Sequence, residues 1–201
     1  TYPYVSSSNA TVGGVCTGLG VAPRVIEGVL GVTKAYTTRV GEGPLPTELH
    51  GDAGERLRES GQEYGASTGR PRRCGWYDAV PVRYAARING FDALALTKLD
   101  VLDGMDELKL CTAYRCGERR VTDFPADPAL LASCTPEYET HPGWLRPTAG
   151  VRRFEDLPEE ARRYVARIEE VSGVAVAIVS TGSDRGETVV RQGSFVTPWL
   201  G

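Results

Sequence analysis

The stretch ALALTKLD, residues 93–100, decides the fold. From Ala93 to Leu99 the apolar character is broken only at Thr97 and Lys98, the pattern of a strand buried on both faces whose end emerges among polar groups. A second run of this kind, VAVAIVSTG at residues 174–182, is rich in β-branched residues and also ends in small polar ones. It follows directly on the clearest helical pattern in the chain. There Ala161, Tyr164, Val165, Ile168 and Val171 recur at helical spacing, Gly173 supplies the stop, and Asp156 with Glu159 reads as a capping box. A helix feeding a buried strand is the mark of a parallel sheet, so the chain is expected to be α/β with helices packed on a mostly parallel sheet.

Working outward, Asp78 is placed to cap a helix running to Asn89, with Pro81 in its first turn and Gly90 as the stop. An extended run covers Glu107 to Arg115 and turns at Gly117. Asp52 and Glu55 read as a capping box for a short helix ended by Gly61. Residues 23–36 carry Val25, Ile26, Val29, Leu30 and Val32 in a pattern that suits a buried helix, against which Gly28 and Gly31 speak. The Pro-containing region from Asp123 to Pro147 reads as a long irregular excursion. No internal repeat appears.

Composition restricts the function classes. The chain has 201 residues, 41% hydrophobic and 24% charged, and is read as one domain spanning 1–201. A formal net charge of −3 argues against a general nucleic-acid or membrane-surface binder. No apolar run approaches the ~18 residues of a membrane span. Five cysteines, Cys16, Cys74, Cys111, Cys116 and Cys134, show no C-x-x-C spacing, which argues against a disulfide framework and a zinc site and for reduced thiols in the cytoplasm. The first residue is Thr1 and the only methionine Met105, so a fragment or processed chain is expected.

Ligands of open parallel sheets gather beyond the carboxyl ends of strands. At the first such end, TKLD (97–100), the two oxygens of Asp100 match the N1 hydrogen and 2-amino group of guanine, a donor pair adenine lacks. The Lys98 stem suits the flat face of a base, and lysine is rare here, three residues (Lys34, Lys98, Lys109) among 23 basic ones. A surface lysine beside a capping aspartate fits the same letters. At the second end, STGSDR (180–185), hydroxyls and the main chain around Gly182 suit a base or ribose, or merely an ordinary turn. In STGRPRRCGW (67–76), Thr68 and Gly69 precede Arg70, Arg72 and Arg73, whose planar forks match carboxylate or phosphate, with Pro71 stiffening the segment. The other reading is a solvated loop pairing with some of the 26 acidic residues.

Six blocks lift these patterns out of ambiguity. TYPYVSSSN (1–9), TRVGEGPLPTEL (38–49), EYGASTGRPRRCGWYD (63–78), LTKLDVLDG (96–104), KLCTAYR (109–115) and VSTG (179–182) occur in an order and spacing that resembles the adenylosuccinate synthetase family, over essentially the whole chain but only the carboxyl-terminal half of the enzyme. The resemblance implies part of a P-loop-NTPase-like fold. It also implies a ligase that uses GTP and magnesium to activate IMP at its purine oxygen, after which L-aspartate displaces the phosphoryl group to give adenylosuccinate. By the same resemblance, Ser6, Val40, Ala66, Ser67, Thr68, Gly69, Arg70 and Arg72 bind aspartate and IMP. Arg72, Lys98, Leu99, Asp100, Ser180, Thr181 and Gly182 serve GTP.

Ser6 stands where the family usually has threonine, which keeps the hydroxyl, and Pro71 where it often has a basic residue. The family's catalytic aspartate and histidine, its phosphate loop and most magnesium ligands fall in the half not represented, and this chain contains no Gly-Lys pair. No catalytic or metal role is therefore assigned here, to His50 or His141 in particular. The full enzyme is expected to be a cytoplasmic homodimer and the isolated chain inactive. The alternative is a non-catalytic nucleotide- or anion-binding module.

Overall fold

Three parallel strands form the frame on which the rest is hung. In the computed structural model, which describes residue 4 and residues 8–199, β1 (Leu30–Lys34) pairs in parallel with β5 (Ala93–Thr97), and β5 with β9 (Val176–Ser180). An antiparallel strand, β10 (Thr188–Val190), completes a sheet of order β1-β5-β9-β10. Ala93, Leu94, Ala95 and Leu96 are all buried, as the unbroken apolar run requires. A short antiparallel pair joins β2 (Thr37–Arg39) to β3 (Arg73–Gly75). The second four-stranded sheet is mixed: β6 (Glu107–Cys116) runs parallel to β4 (Tyr77–Asp78) and antiparallel to β7 (Arg119–Val121) and β8 (Thr135–Pro142).

The helices are α1 (Gly13–Leu19), α2 (Asp52–Ser60), α3 (Ala79–Asn89), α4 (Pro128–Ser133) and α5 (Glu159–Ser172). On α5 the predicted face is the buried one: Ala161, Tyr164, Val165 and Ile168 enter the core, and Gly173 ends the helix at φ 73. Each large side chain on that face contributes roughly 2 kcal/mol by leaving water. Asp78 caps α3 as expected, accepting from Val80 N at 3.1 Å, and Gly90 closes it at φ 63. The Asp78 carboxylate is buried and takes a second bond from Tyr114 Oη at 2.5 Å. Burial pushes its pKa up to about 6 against the restraint of those two donors.

Several expectations are corrected. Residues 23–36 form no long helix: a 3-10 turn at Pro23–Val25 leads into β1. Apolar spacing there is overruled by pairing with β5, and at Gly31 a Cβ would stand 2.6 Å from the Phe91 ring. The stretch 123–147 is not irregular, since it holds α4, capped by Asp127, and β8, which pairs along most of β6. Pro136 and Pro142 are tolerated because β8 is an edge strand. Neither anticipated capping box forms: α2 is capped by Gly51 and α5 by Pro158, without side-chain bonds. Cysteines are not all reduced, because Cys116 and Cys134 form a disulfide while Cys16, Cys74 and Cys111 are free. Among the described residues no helix is long and apolar enough to cross a membrane.

Candidate functional site

Beyond the carboxyl ends of β5 and β9 lies a cleft of about 420 Å³, lined in part by Lys98, Asp100, Thr181 and Gly182. Four residues singled out at two strand ends, some eighty positions apart in the chain, thus face one space. Adjacent parallel strands end together, and this brings them there.

Each position has a local cause. Lys98 takes a left-handed backbone, φ 60 and ψ 38, which turns the chain sharply from β5 into the 3-10 turn Leu99–Leu102. A non-glycine residue holds that conformation only when its surroundings enforce it. Here Leu99, Val101 and Leu102 are buried behind the turn, while Lys98 Nζ donates to the carbonyl of Gly61. Asp100 is partly buried, and its Oδ1 has no hydrogen-bond partner among the described residues. Burial raises its pKa. A buried acceptor without a donor costs about 1–3 kcal/mol, and the residue that carries it lines the cleft, so a ligand N–H group that reached this oxygen would remove the cost.

Across the cleft Thr181 is fully buried, its amide donating to Glu187 O at 2.9 Å. A Cβ at Gly182 would stand 2.1 Å from Glu187 Oε2, so a larger residue there would displace that carboxylate. Ser180 is not on the lining, and its Oγ donates to Gly182 O at 2.8 Å, fixing the turn. Leu99 has its side chain in the core, which leaves only its main chain to a ligand.

The arginine loop is pinned at its base and exposed at its tip. Arg72 N donates to Glu63 O and Gly65 N to Arg70 O, both at 2.8 Å, while Ala66, Ser67, Thr68, Gly69 and Arg70 are all exposed. Gly69 takes φ 64 in this turn. The three arginines differ in environment. Arg73 pairs with Glu48 and donates to the carbonyls of Gly41 and Gly43, tying down the loop after β2 that carries the exposed Val40. Arg72 Nη1 donates to Glu63 Oε2 at 2.6 Å. The Arg70 guanidinium has no partner among the described residues. These loop residues and Val40 do not line the cleft, and Ser6 lies outside the described residues.

The residue that sequence reasoning missed is Glu63. It is fully buried and accepts from Lys34 Nζ at 2.7 Å, Tyr36 Oη at 2.5 Å and Arg72 Nη1, with Lys98 Nζ 3.6 Å away. Burial alone would raise its pKa, but the bonds from Lys34, Tyr36 and Arg72 prevail and hold it at about 2. Its one sequence signal is a single acid at the head of a segment rich in arginine. Through it the arginine loop and the cleft are physically joined.

A buried, mostly parallel sheet with a cleft at its strand ends defines an α/β protein of the class whose ligands gather at strand ends. Comparison with known proteins narrows this. The model of the family described as adenylosuccinate synthetase matches residues 1–189, and the chain belongs to that family. It is 57% identical over 189 residues to the adenylosuccinate synthetase of Desulforudis audaxviator (strain MP104C), covering 94% of this chain and 44% of that protein. With that of Solibacter usitatus (strain Ellin6076) it shares 55% over 201 residues, 100% of this chain and 46% of the relative. The solved structure of fully ligated adenylosuccinate synthetase from Plasmodium falciparum superposes with a TM-score of 0.92 at 40% identity, covering 95% of this chain and 46% of that one. The chain thus spans a little under half the length of the relatives it matches.

Proposed function

We propose that this chain is the substrate-holding part of a longer ligase that joins IMP to L-aspartate at the expense of GTP, giving adenylosuccinate, GDP and phosphate for AMP synthesis. The observation that carries the reading is the partnerless Asp100 oxygen in a cleft shared with Lys98, Thr181 and Gly182. Guanine supplies two adjacent N–H donors to that carboxylate, the Lys98 stem lies along the base, and the Thr181–Gly182 turn closes over it. On the other side of Glu63, Arg70 and Arg72 offer planar forks to the carboxylates of aspartate, with Ala66, Ser67, Thr68 and Gly69 adding hydroxyl and amide donors. Val40 and Ser6 belong, in this reading, to the IMP side, and Arg72 also serves GTP.

The resemblance implies magnesium. Among the described residues no group of three or more His, Cys, Asp or Glu could hold a metal ion, and no step is derived through it. The metal's ligands and the catalytic groups are assigned to the remainder of the longer protein, a homodimer in the cytoplasm, and the isolated chain is expected to be inactive. The test is conversion of IMP, aspartate and GTP to adenylosuccinate by the full-length protein, with none by the 201-residue chain. Nucleotide binding without turnover by the full-length protein would favour the non-catalytic binding module instead.

A further inference from the structure

Glu63 has no part in the site as assigned from the sequence, yet four side chains from three separate segments converge on it. Lys34 Nζ reaches both its oxygens, at 2.7 and 2.8 Å, Tyr36 Oη and Arg72 Nη1 complete its hydrogen bonds, and Lys98 Nζ stands 3.6 Å off. The carboxylate is fully buried, whereas the side chains of Lys34, Arg72 and Lys98 remain 25%, 28% and 36% exposed. One buried anion therefore faces three cations whose outer sides meet solvent.

A structural ion pair needs one cation; three around one carboxylate leave positive charge in excess on the outward side. Two of the three belong to different parts of the proposed site. Lys98 lines the cleft, and Arg72 closes the base of the arginine loop. Lys98 is moreover held in a left-handed backbone that its surroundings must enforce, and its ammonium is fastened between Gly61 O and Glu63. The packing there leaves no slack, since a Cβ at Gly61 would stand 2.2 Å from Tyr36 Oη.

We infer that Glu63 is a positioning residue, whose single carboxylate fixes Lys98 beside the base cleft and Arg72 under the arginine loop, so that the nucleotide and the dicarboxylic amino acid are bound in register with each other. This rests on the reading given under Proposed function. Neutralising Glu63 leaves Lys34, Arg72 and Lys98 repelling one another with no common anchor, and both halves of the site lose alignment at once.

The experiment measures dissociation constants for GTP and for aspartate, with IMP present, on the full-length protein by calorimetry, alongside thermal unfolding. Glu63→Gln is expected to weaken both ligands by about tenfold, the order expected when a hydrogen bond to a charged group is lost. Glu63→Asp, which restores the charge on a shorter stem, is expected to weaken both by less. A lowered Tm with both constants unchanged, or weakening of one ligand alone, overturns the inference. Should Glu63→Gln not fold, Glu63→Asp carries the test, and wild-type constants for it overturn the inference. Asp100→Asn separates the two levels. If it leaves guanine preference intact, the reading of the cleft fails and this inference with it; if it shifts preference while both Glu63 variants bind normally, this inference alone fails.

Discussion

Two buried carboxylates should pull the stability of the protein in opposite directions as pH changes. Asp78, at the cap of α3, is held at about 6 against an ordinary 3.8, so between those values the folded protein keeps a proton that the unfolded chain has lost. Stability from this group falls as pH rises through that window. At ~1.36 kcal/mol per tenfold change in proton affinity, the loss is about 3 kcal/mol. Glu63 is held at about 2 against an ordinary 4.5, so its contribution is complete above 4.5 and disappears as pH falls toward 2, again about 3 kcal/mol. These two groups together place a stability maximum where their windows overlap, near pH 4. Urea unfolding followed by tryptophan fluorescence from pH 3 to 7 measures it, with Trp144, buried in the core, as a reporter. The decisive comparison is wild type minus Asp78→Asn, because Arg-paired carboxylates such as Glu48 and Glu139 titrate equally in both. Asn keeps the cap on Val80 N. The variant should gain about 3 kcal/mol over wild type on going from pH 4 to pH 7. A difference that stays flat across the range would refute the reasoning.

Asp103 accepts from Trp144 Nε1 at 2.6 Å, Thr148 N at 2.7 Å and Thr148 Oγ1 at 3.1 Å, so Asp103→Ala strands three buried donors and should cost roughly 3 kcal/mol in the same urea assay; a loss below ~1 kcal/mol would show the bonds to be dispensable. Thiol titration of the denatured, unreduced protein should count three reactive groups in this chain, Cys16, Cys74 and Cys111, and five after reduction. Five before reduction would contradict the Cys116–Cys134 bond.

What could be read from the sequence was what depends on near neighbours. β5 and β9 show as unbroken apolar runs, α3 and α5 as periodic stretches between recognisable stops, and the cleft follows because Lys98, Asp100, Thr181 and Gly182 sit where those strands end. β1 did not show, because its apolar spacing fits helix and strand alike and pairing of Leu30 with Ala93 decides between them. β8 was hidden by prolines, which break helices and central strands but not the outer edge of a sheet. The disulfide depends on the end of β6 meeting the end of α4, which no spacing of cysteines reveals. Glu63 is the sharpest case. Its meaning lies in donors brought from residues 34, 36, 72 and 98; Arg72 and Lys98 stand out in the sequence for other reasons, but nothing there joins them to one carboxylate until the chain has folded around it.

The central claim is that the Asp100 carboxylate reads the hydrogen-bond donors of guanine, and competition between GTP and its xanthine counterpart for the full-length protein tests it most directly. Xanthine carries a carbonyl where guanine carries the 2-amino group, so the wild-type carboxylate should reject it, whereas Asp100→Asn, which supplies a donor, should bind it and lose its preference for GTP by about tenfold or more. An Asp100→Asn protein that still prefers GTP as strongly as wild type would contradict the account.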